Sequence, residues 1–367
     1  MKKFLKTVLP LLLVLVMSLA LVACNKDDNA GKNDKPDTDV DNQGADKADL
    51  EDELIIYSTH PEDMLEVVAD KFTEKYGVEV QFINLKGELA ERVRSEKDNP
   101  QADIMYGGAV SLFASLDEDG VFEKVDVSYA GDLTDNLKSA NGTWYATLQT
   151  PVVFFYNSDR VTEAEAPKSW AELVDPKYEG MICSRDGLSS SQRATVAALL
   201  YNYDKEGKID EGWEYLKKLD ANTKSYYNSG SQHFQAVGMG EAPISYGVQS
   251  AIIQNRDNND LPLAMLIPEE GAVMIPDAVG AIKNAPHPKA AAAFVEFAGS
   301  VEVQTMLANQ FQRVPTLEEA MKAGPDFMKD GIKGMDTDWA EISKHEAEWI
   351  QKWEDEIRSK GKDVAKE

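Results

Sequence analysis

The sequence predicts an α/β fold, with mostly parallel strands in a twisted sheet and helices on both faces. Two observations carry this. From residue 54 to residue 116, short apolar runs alternate with segments of helical periodicity in strand–helix order. Strands joined through helices pair in parallel. The chain beyond residue 52 is also long enough for two lobes of ordinary size.

Leu54 to Tyr57 is a short apolar run, suited to a strand buried on both faces. The helix after it sets Met64, Leu65, Val67, Val68 and Phe72 at spacings of three and four. Thr59 and Glu62 fit a capping box at its start, and Gly77 stops it. Val78 to Ile83 alternates as a second strand, and Gly87 to Glu96 reads as a helix with Leu89 and Val93 inward. Ala102 to Tyr106 is a third strand, closed by Gly107 and Gly108, and Val110 to Leu116 is helical again. "TPVVFFYNSDRV" is a strand, and "SWAELVDPKYEGMICS" runs helix, turn, strand. "SSSQRATVAALLYNY" and "GWEYLKKLDA" are helices, and "GSQHFQAVGMGEAPISYG" is a helix, a glycine-rich turn and a strand. "HPKAAAAFVEFAGSVEVQTMLANQ" is a long helical stretch opened by Pro288 and broken near Gly299. In the tail, Trp339, Ile342, Trp349, Ile350 and Trp353 fall at helical spacing, with Glu346 interrupting the stripe; this is packing rather than a ligand cage.

The N-terminal end has another character. Lys2, Lys3 and Lys6 precede an apolar run from Val8 to Met17, and Ser18 to Ala23 lead into Cys24: a secretory signal. No later apolar run approaches the ~20 residues of a membrane span. Asn25 to Asp52 contain ten acidic and four basic residues and almost nothing large and apolar. Such a segment cannot bury enough surface to offset its chain entropy, so a disordered tether is expected.

Composition excludes several functions. With 64 acidic and 38 basic residues the formal charge is −26, which argues against nucleic acid. Cys183 is the single cysteine after Cys24, so the body has no internal disulfide, and it reads as a small buried hydrophobe. The four histidines, His60, His233, His287 and His345, share no metal-ligand spacing. There is no Gly-x-Ser-x-Gly elbow and no P-loop. "GLSSSQ" has no base nearby to activate a nucleophile. An enzyme is therefore not expected, a secreted hydrolase being the remote alternative, and no cofactor is implied.

Four strand-to-helix junctions carry small or hydroxylated residues. They are Ser58 and Thr59 (with His60), Gly107 and Gly108, Gly187 to Ser191 (with Ser189 and Ser190), and Asn228, Ser229, Gly230 and Ser231. Helix N-termini offer free N–H groups and the positive end of the macrodipole, which suits a phosphate, phosphonate or carboxylate. The same residues also serve as ordinary helix caps. Thr150, Tyr246, Gln249 and Arg313 are further candidate contacts.

The motifs resemble those of a known family. "LVAC" at Leu21 to Cys24 resembles a lipobox, which implies cleavage after Ala23 and lipidation of Cys24. With the acidic tether and a body opening "LIIYSTHPEDMLEVVADKFTEKYGVEVQF", the chain resembles the substrate-binding lipoproteins of ABC importers. "NPQADIMYGG", "HPKAAAAFVEFAGSVEVQTML" and the "VPT" of Val314 to Thr316 resemble further family segments, over about Leu54 to Thr316. Within that superfamily the chain is most similar to the branch of ferric-ion, thiamine, aminoethylphosphonate and phosphorylated-sugar receptors.

The resemblance implies a two-lobe type II periplasmic-binding-protein fold with the ligand in the cleft between the lobes. Residues 54–148 and 272–312 would form lobe 1, residues 149–271 lobe 2, and 313–367 a helical tail packed on them, after a signal peptide (1–23) and tether (24–52). It also implies hinge closure, a membrane permease as partner, a lipid-anchored place on the extracellular or periplasmic face, and a monomer. In open α/β sheets ligands lie beyond the carboxyl ends of strands, which places the cleft independently.

The ligand stays open among three classes, with a small anion favoured. Ferric ion is the rival, with His60, Glu88 and Tyr246 as its donors. Hard Fe(III) favours phenolate and carboxylate oxygens, and receptors of that kind use adjacent tyrosines, whereas Tyr246 is followed by Gly247. A thiamine-like or polyamine cation is third, with Trp144, Tyr145, Tyr246 and Asp277 as aromatic and acidic contacts.

Overall fold

The computed structural model describes residues 49–85 and 88–364. The signal segment, Cys24 and the tether up to residue 48 lie outside the described residues. β1 (Glu53–Ser58), α1 (Glu62–Tyr76), β2 (Glu79–Asn84), α2 (Leu89–Ser95), β3 (Ile104–Ala109) and α3 (Val110–Glu118) follow one another as the sequence predicts. β1 pairs in parallel with β2 on one side and β3 on the other. Gly77 ends α1 at φ 75, a left-handed conformation that glycine adopts without steric cost.

The expected capping box does not form. Pro61 is the N-cap of α1 and makes no side-chain cap. Its ring fixes φ and sets Thr59 too far back to cap the first turn. Ser58 Oγ instead receives the His60 amide at 3.0 Å.

The chain then enters β4 (Tyr145–Asn157), buried along almost its whole length. Two short helical turns occupy Ala171–Val174 and Pro176–Tyr178, where a helix was expected. After them come β5 (Ile182–Arg185), α4 (Ser190–Asp204), α5 (Ile209–Asn222), β6 (Thr223–Tyr227), α6 (Gly230–Gly238), β7 (Ile244–Val248), α7 (Gln249–Asn259), β8 (Leu263–Leu266) and β9 (Val273–Ala281). The "HPKAAAAF" stretch gives α8 (Pro288–Ala298) and α9 (Val301–Phe311), with Ser300 capping the second. The rest is β10 (Val314–Pro315), α10 (Glu318–Ala323), α11 (Asp326–Lys329), α12 (Trp339–Lys352), one wide helical turn at Trp353–Ile357, and β11 (Asp363–Val364).

One sheet runs through both lobes in the order β11-β6-β5-β7-β4-β9-β3-β1-β2, with β8 and β10 added on β4. The outer groups are parallel and the centre is antiparallel: β3 with β9, β9 with β4, β4 with β7. β4 and β9 thus form the centre of the one sheet. Their pairing carries a register shift between Ala146 and Leu148. β10 pairs with Leu148 and Gln149 at the same place. Tail helix α12 packs on both α3 and α4, and Trp339 donates its indole N–H to the Met274 carbonyl of β9 at 3.0 Å.

Asp49 to Asp52, grouped with the tether on composition, are packed on the body instead. Leu50 lies against the main core. The Glu51 carboxylate accepts the Ala290 amide of α8 at 2.7 Å, and Asp49 pairs with Lys289 at 2.9 Å. A carboxylate at a helix N-terminus is a favourable contact that composition does not reveal.

Candidate functional site

The first half of the site stands where β1 and β3 end. Ser58 is fully buried and committed to structure, its hydroxyl donating to the Tyr106 carbonyl at 2.6 Å. His60 is 3 % exposed, its ring edge-on to Tyr106 at 4.6 Å, and its Nε2 has no partner. Burial, with a contribution from the Arg313 charge, lowers its pKa to about 3, so the ring is neutral near pH 7. Gly107, at φ 89, lies against this ring. A Cβ there would stand 2.7 Å from it, so both backbone and space require glycine. Gly108 follows at φ 105, and a Cβ on it would meet Thr59 Oγ1 at 3.9 Å.

The crossing strands add a polar floor. Thr150 of β4 donates to the Asp277 carboxylate of β9 at 2.7 Å, and Arg313 Nη1 donates to the Thr150 hydroxyl at 3.1 Å. Burial raises the Asp277 carboxyl against the opposing pull of Arg313, Thr150 and the Gly108 amide. Arg313 arrives here because Gln312 ends α9 in the left-handed region at φ 57, turning the chain into β10. Gln249 starts α7, 7 % exposed, with Oε1 unpartnered.

The second half is built where β5 and β6 end. Arg185 closes β5; its Nε donates to the Tyr227 carbonyl at 3.0 Å and its Nη2 to the Asn228 carbonyl at 2.7 Å. A Cβ on Gly230 would stand 3.1 Å from Arg185 Nη1. Asn228 donates to Asp186 at 3.1 Å, tying the two loops together. Ser189 and Ser229 cap α4 and α6 by accepting the amides of Gln192 and Gln232. The guanidinium thus stands against the start of α6 and shares a cavity lining with the start of α4.

Beside them is a cavity of about 60 Å³ lined by Arg185, Ser191, Gln192, His233, Tyr246 and Gly247, among others. The Tyr246 hydroxyl accepts from Gln192 Nε2 at 2.9 Å. His233 Nε2 lies 2.7 Å from the Ser245 hydroxyl. Burial lowers the His233 pKa to about 3, with Arg185 adding to the effect.

The four predicted junctions are therefore gathered in two pairs, β1 with β3 and β5 with β6, and the cavity is lined from β4, β5, β7, α4, α6 and α7. Ser190 and Ser231 are exposed at their helix starts. Glu88 is exposed at the start of α2. The Tyr226–Tyr227 pair is used elsewhere: the hydroxyls bond Asp220 at 2.9 Å and Glu241 at 3.4 Å. Among the described residues, no three His, Cys, Asp or Glu side chains group closely enough to share a metal ion.

Sequence reasoning missed Arg185 and His233. The signal for Arg185 was present, an arginine closing "MICSR" directly before the small-residue loop. His233 carried none, because nothing marks which side of a short helix faces a pocket.

Residues 99–345 match the model of the family described as bacterial extracellular solute-binding protein. The chain is 30% identical to a probable ABC transporter periplasmic-binding protein, y4fP, of Sinorhizobium fredii, over 84% of this chain and 87% of that one. Among solved structures, it is similar to the periplasmic binding protein AfuA of Actinobacillus pleuropneumoniae with fructose-6-phosphate bound. The TM-score is 0.70 and the identity 28%, over 83% of this chain and 98% of that one. It also shares the fold of apo ferric ion-binding protein A of Pasteurella haemolytica, with a TM-score of 0.76 and 20% identity, over 86% and 100% of the two chains. On the family match and the 30% identity to the Sinorhizobium fredii relative, the chain belongs to the bacterial extracellular solute-binding protein family.

Proposed function

We propose that the protein is the receptor of an ABC importer for a small organic anion of phosphorylated or phosphonate type. The observation that carries this is Arg185, whose guanidinium stands against the start of α6 and which lines one cavity with Ser191 and Gln192 at the start of α4. An anion there meets a charge-assisted donor together with the positive ends of two helices. The partnerless Nε2 of His60 and Oε1 of Gln249 suit the polar remainder of such a molecule. The sugar-phosphate complex named for AfuA, a structural relative, agrees with this chemistry.

Capture works by closure. Lobe 1 would comprise 54–148 and 272–312, and lobe 2 149–271, hinged on β4 and β9 with the tail 313–367 packed on both. A ligand touching both half-sites stabilises the closed form through contacts the open form lacks. The closed form delivers its cargo to a membrane permease, and the receptor itself catalyses no reaction. Cys24 would carry the lipid that anchors it, as a monomer, on the outer face of the membrane.

Isothermal titration with fructose 6-phosphate, 2-aminoethylphosphonate and inorganic phosphate tests the ligand class, and absence of heat with every organic anion overturns it. The second reading is ferric ion, favoured by the ferric-ion-binding relative of like fold and by the Tyr246 hydroxyl in the cavity lining. A visible absorbance band on loading with ferric citrate, lost in Tyr246→Phe, would establish it in place of the anion. Globomycin-sensitive processing and its loss in Cys24→Ala test the anchor.

A further inference from the structure

The loop that opens α4 is also held from outside its own lobe's sheet. After α12 the chain makes its wide turn, Trp353–Ile357, then runs back to add β11 beside β6. This arm is bolted down by two polar clusters. Arg358, its side chain 5 % exposed, donates to Glu354 through Nε and Nη2 at 2.8 and 2.9 Å, and Lys360 adds a third donor at 2.6 Å. Arg358 also pairs with Asp363 and lies 5.2 Å from the centre of the Tyr226 ring. Asp220 meanwhile accepts the Ser359 amide and hydroxyl at 2.9 and 2.7 Å.

The carboxylate fixed by these contacts fills the space beside Gly187. A Cβ on Gly187 would fall 2.0 Å from Glu354 Oε1. Gly187 is the middle of the segment between Arg185 and Ser189, the cation and the α4 cap of the second half-site. The segment's inner side is held by two local bonds, Asp186 accepting the Leu188 amide at 3.1 Å and, through its carbonyl, the Ser189 amide at 3.1 Å, and by two to the end of β6, the Asp186 amide donating to the Tyr227 carbonyl at 3.2 Å and Asn228 to the Asp186 carboxylate at 3.1 Å. Glu354 is thus the outer stop against which this turn rests.

We propose that Glu354 is a positioning residue for the ligand: held by Arg358 and Lys360, it fixes the Asp186–Ser189 turn and so the aim of the Arg185 side chain and the α4 N-terminus. Two cations face the one carboxylate, so the stop does not add net negative charge beside an anion subsite. The inference rests on the second half-site being where the ligand binds.

Amide hydrogen exchange on the full mature chain tests it, with phosphate and fructose 6-phosphate titrations alongside. Glu354→Ala should speed exchange at residues 186–192 about tenfold or more while leaving exchange in β1 to β3 unchanged. Gly187→Ala should do the same, because its methyl collides with the carboxylate. In the double variant Gly187→Ala with Glu354→Ala, the collision is gone, so exchange should return to the level of Glu354→Ala alone rather than compound. Unchanged exchange in both single variants, or full additivity in the double, overturns the inference. Titration reports separately on the reading beneath it. If the wild-type chain binds neither anion yet the exchange effects appear, the anion assignment falls and the stop stands. If it binds, affinity should fall several-fold in each single variant.

Discussion

The Thr150 hydroxyl donates to the Asp277 carboxylate at 2.7 Å, joining β4 to β9 at the centre of the sheet. Its own acceptor capacity is taken by Arg313. Thr150→Val keeps the shape and removes both bonds, leaving a buried carboxylate short of a donor. The expected cost is about 1–3 kcal/mol, read as a lowered urea midpoint with unchanged slope. Thr150→Ser should stay close to wild type.

Arg185→Gln removes the positive charge between α4 and α6 while keeping a polar side chain. Loss of a charged hydrogen bond of about 1.5–3 kcal/mol corresponds to roughly 10- to 100-fold weaker binding of an anionic ligand. The variant should also show less dependence of affinity on ionic strength, because a charge pair has been deleted. Titration at two salt concentrations measures both effects.

His60 and His233 are each held near pKa 3 by burial, against about 6.5 in an unfolded chain. Between those values the unfolded chain binds the proton and the folded chain does not. Stability contributed by each ring is therefore complete above pH 6.5 and declines as pH falls toward 3. From pH 7 to pH 5 the expected loss is about 2 kcal/mol for each histidine. Urea unfolding at the two pH values should show the gap narrowing in His233→Gln and narrowing further in the double variant with His60→Gln.

Trp339 anchors the tail, 1 % exposed and bonded to β9. Trp339→Ala should cost about 3–5 kcal/mol in a single unfolding transition, since α12 packs on both α3 and α4. A second, earlier transition confined to the tail would contradict this.

Much of the fold was legible because periodicity and glycine placement agreed. β1, α1, β2, α2 and α3 follow the apolar pattern closely and Gly77 ends α1, but Gly107 and Gly108 do not close β3: the strand runs from Ile104 to Ala109, with both glycines at positive φ where its register with β9 shifts. β4 begins earlier than "TPVVFF" suggests, at Tyr145, because its first half is stabilised by β9, a partner far away in sequence. Propensity failed at Ala171–Val174, where Asp175 and Pro176 cut the helix to one turn. In the site, the junctions were legible as small residues between strand and helix, but their pairing was not: which two junctions adjoin depends on strand order. The Glu354–Gly187 contact was invisible for the same reason, as it links the tail to a loop well over a hundred residues earlier.

The pairing of Tyr106 and Tyr145 with the same residue, Val279, sets the order in which this chain can be finished. β3 and the first half of β4 share one missing neighbour until β9 is made. Any polypeptide cut short before Val273 exposes two bare strand edges at once, each a template for sticking to another copy. Closing so long a loop also makes folding slow. Maturation therefore hinges on a segment late in synthesis, and truncated products should aggregate rather than persist as half-molecules.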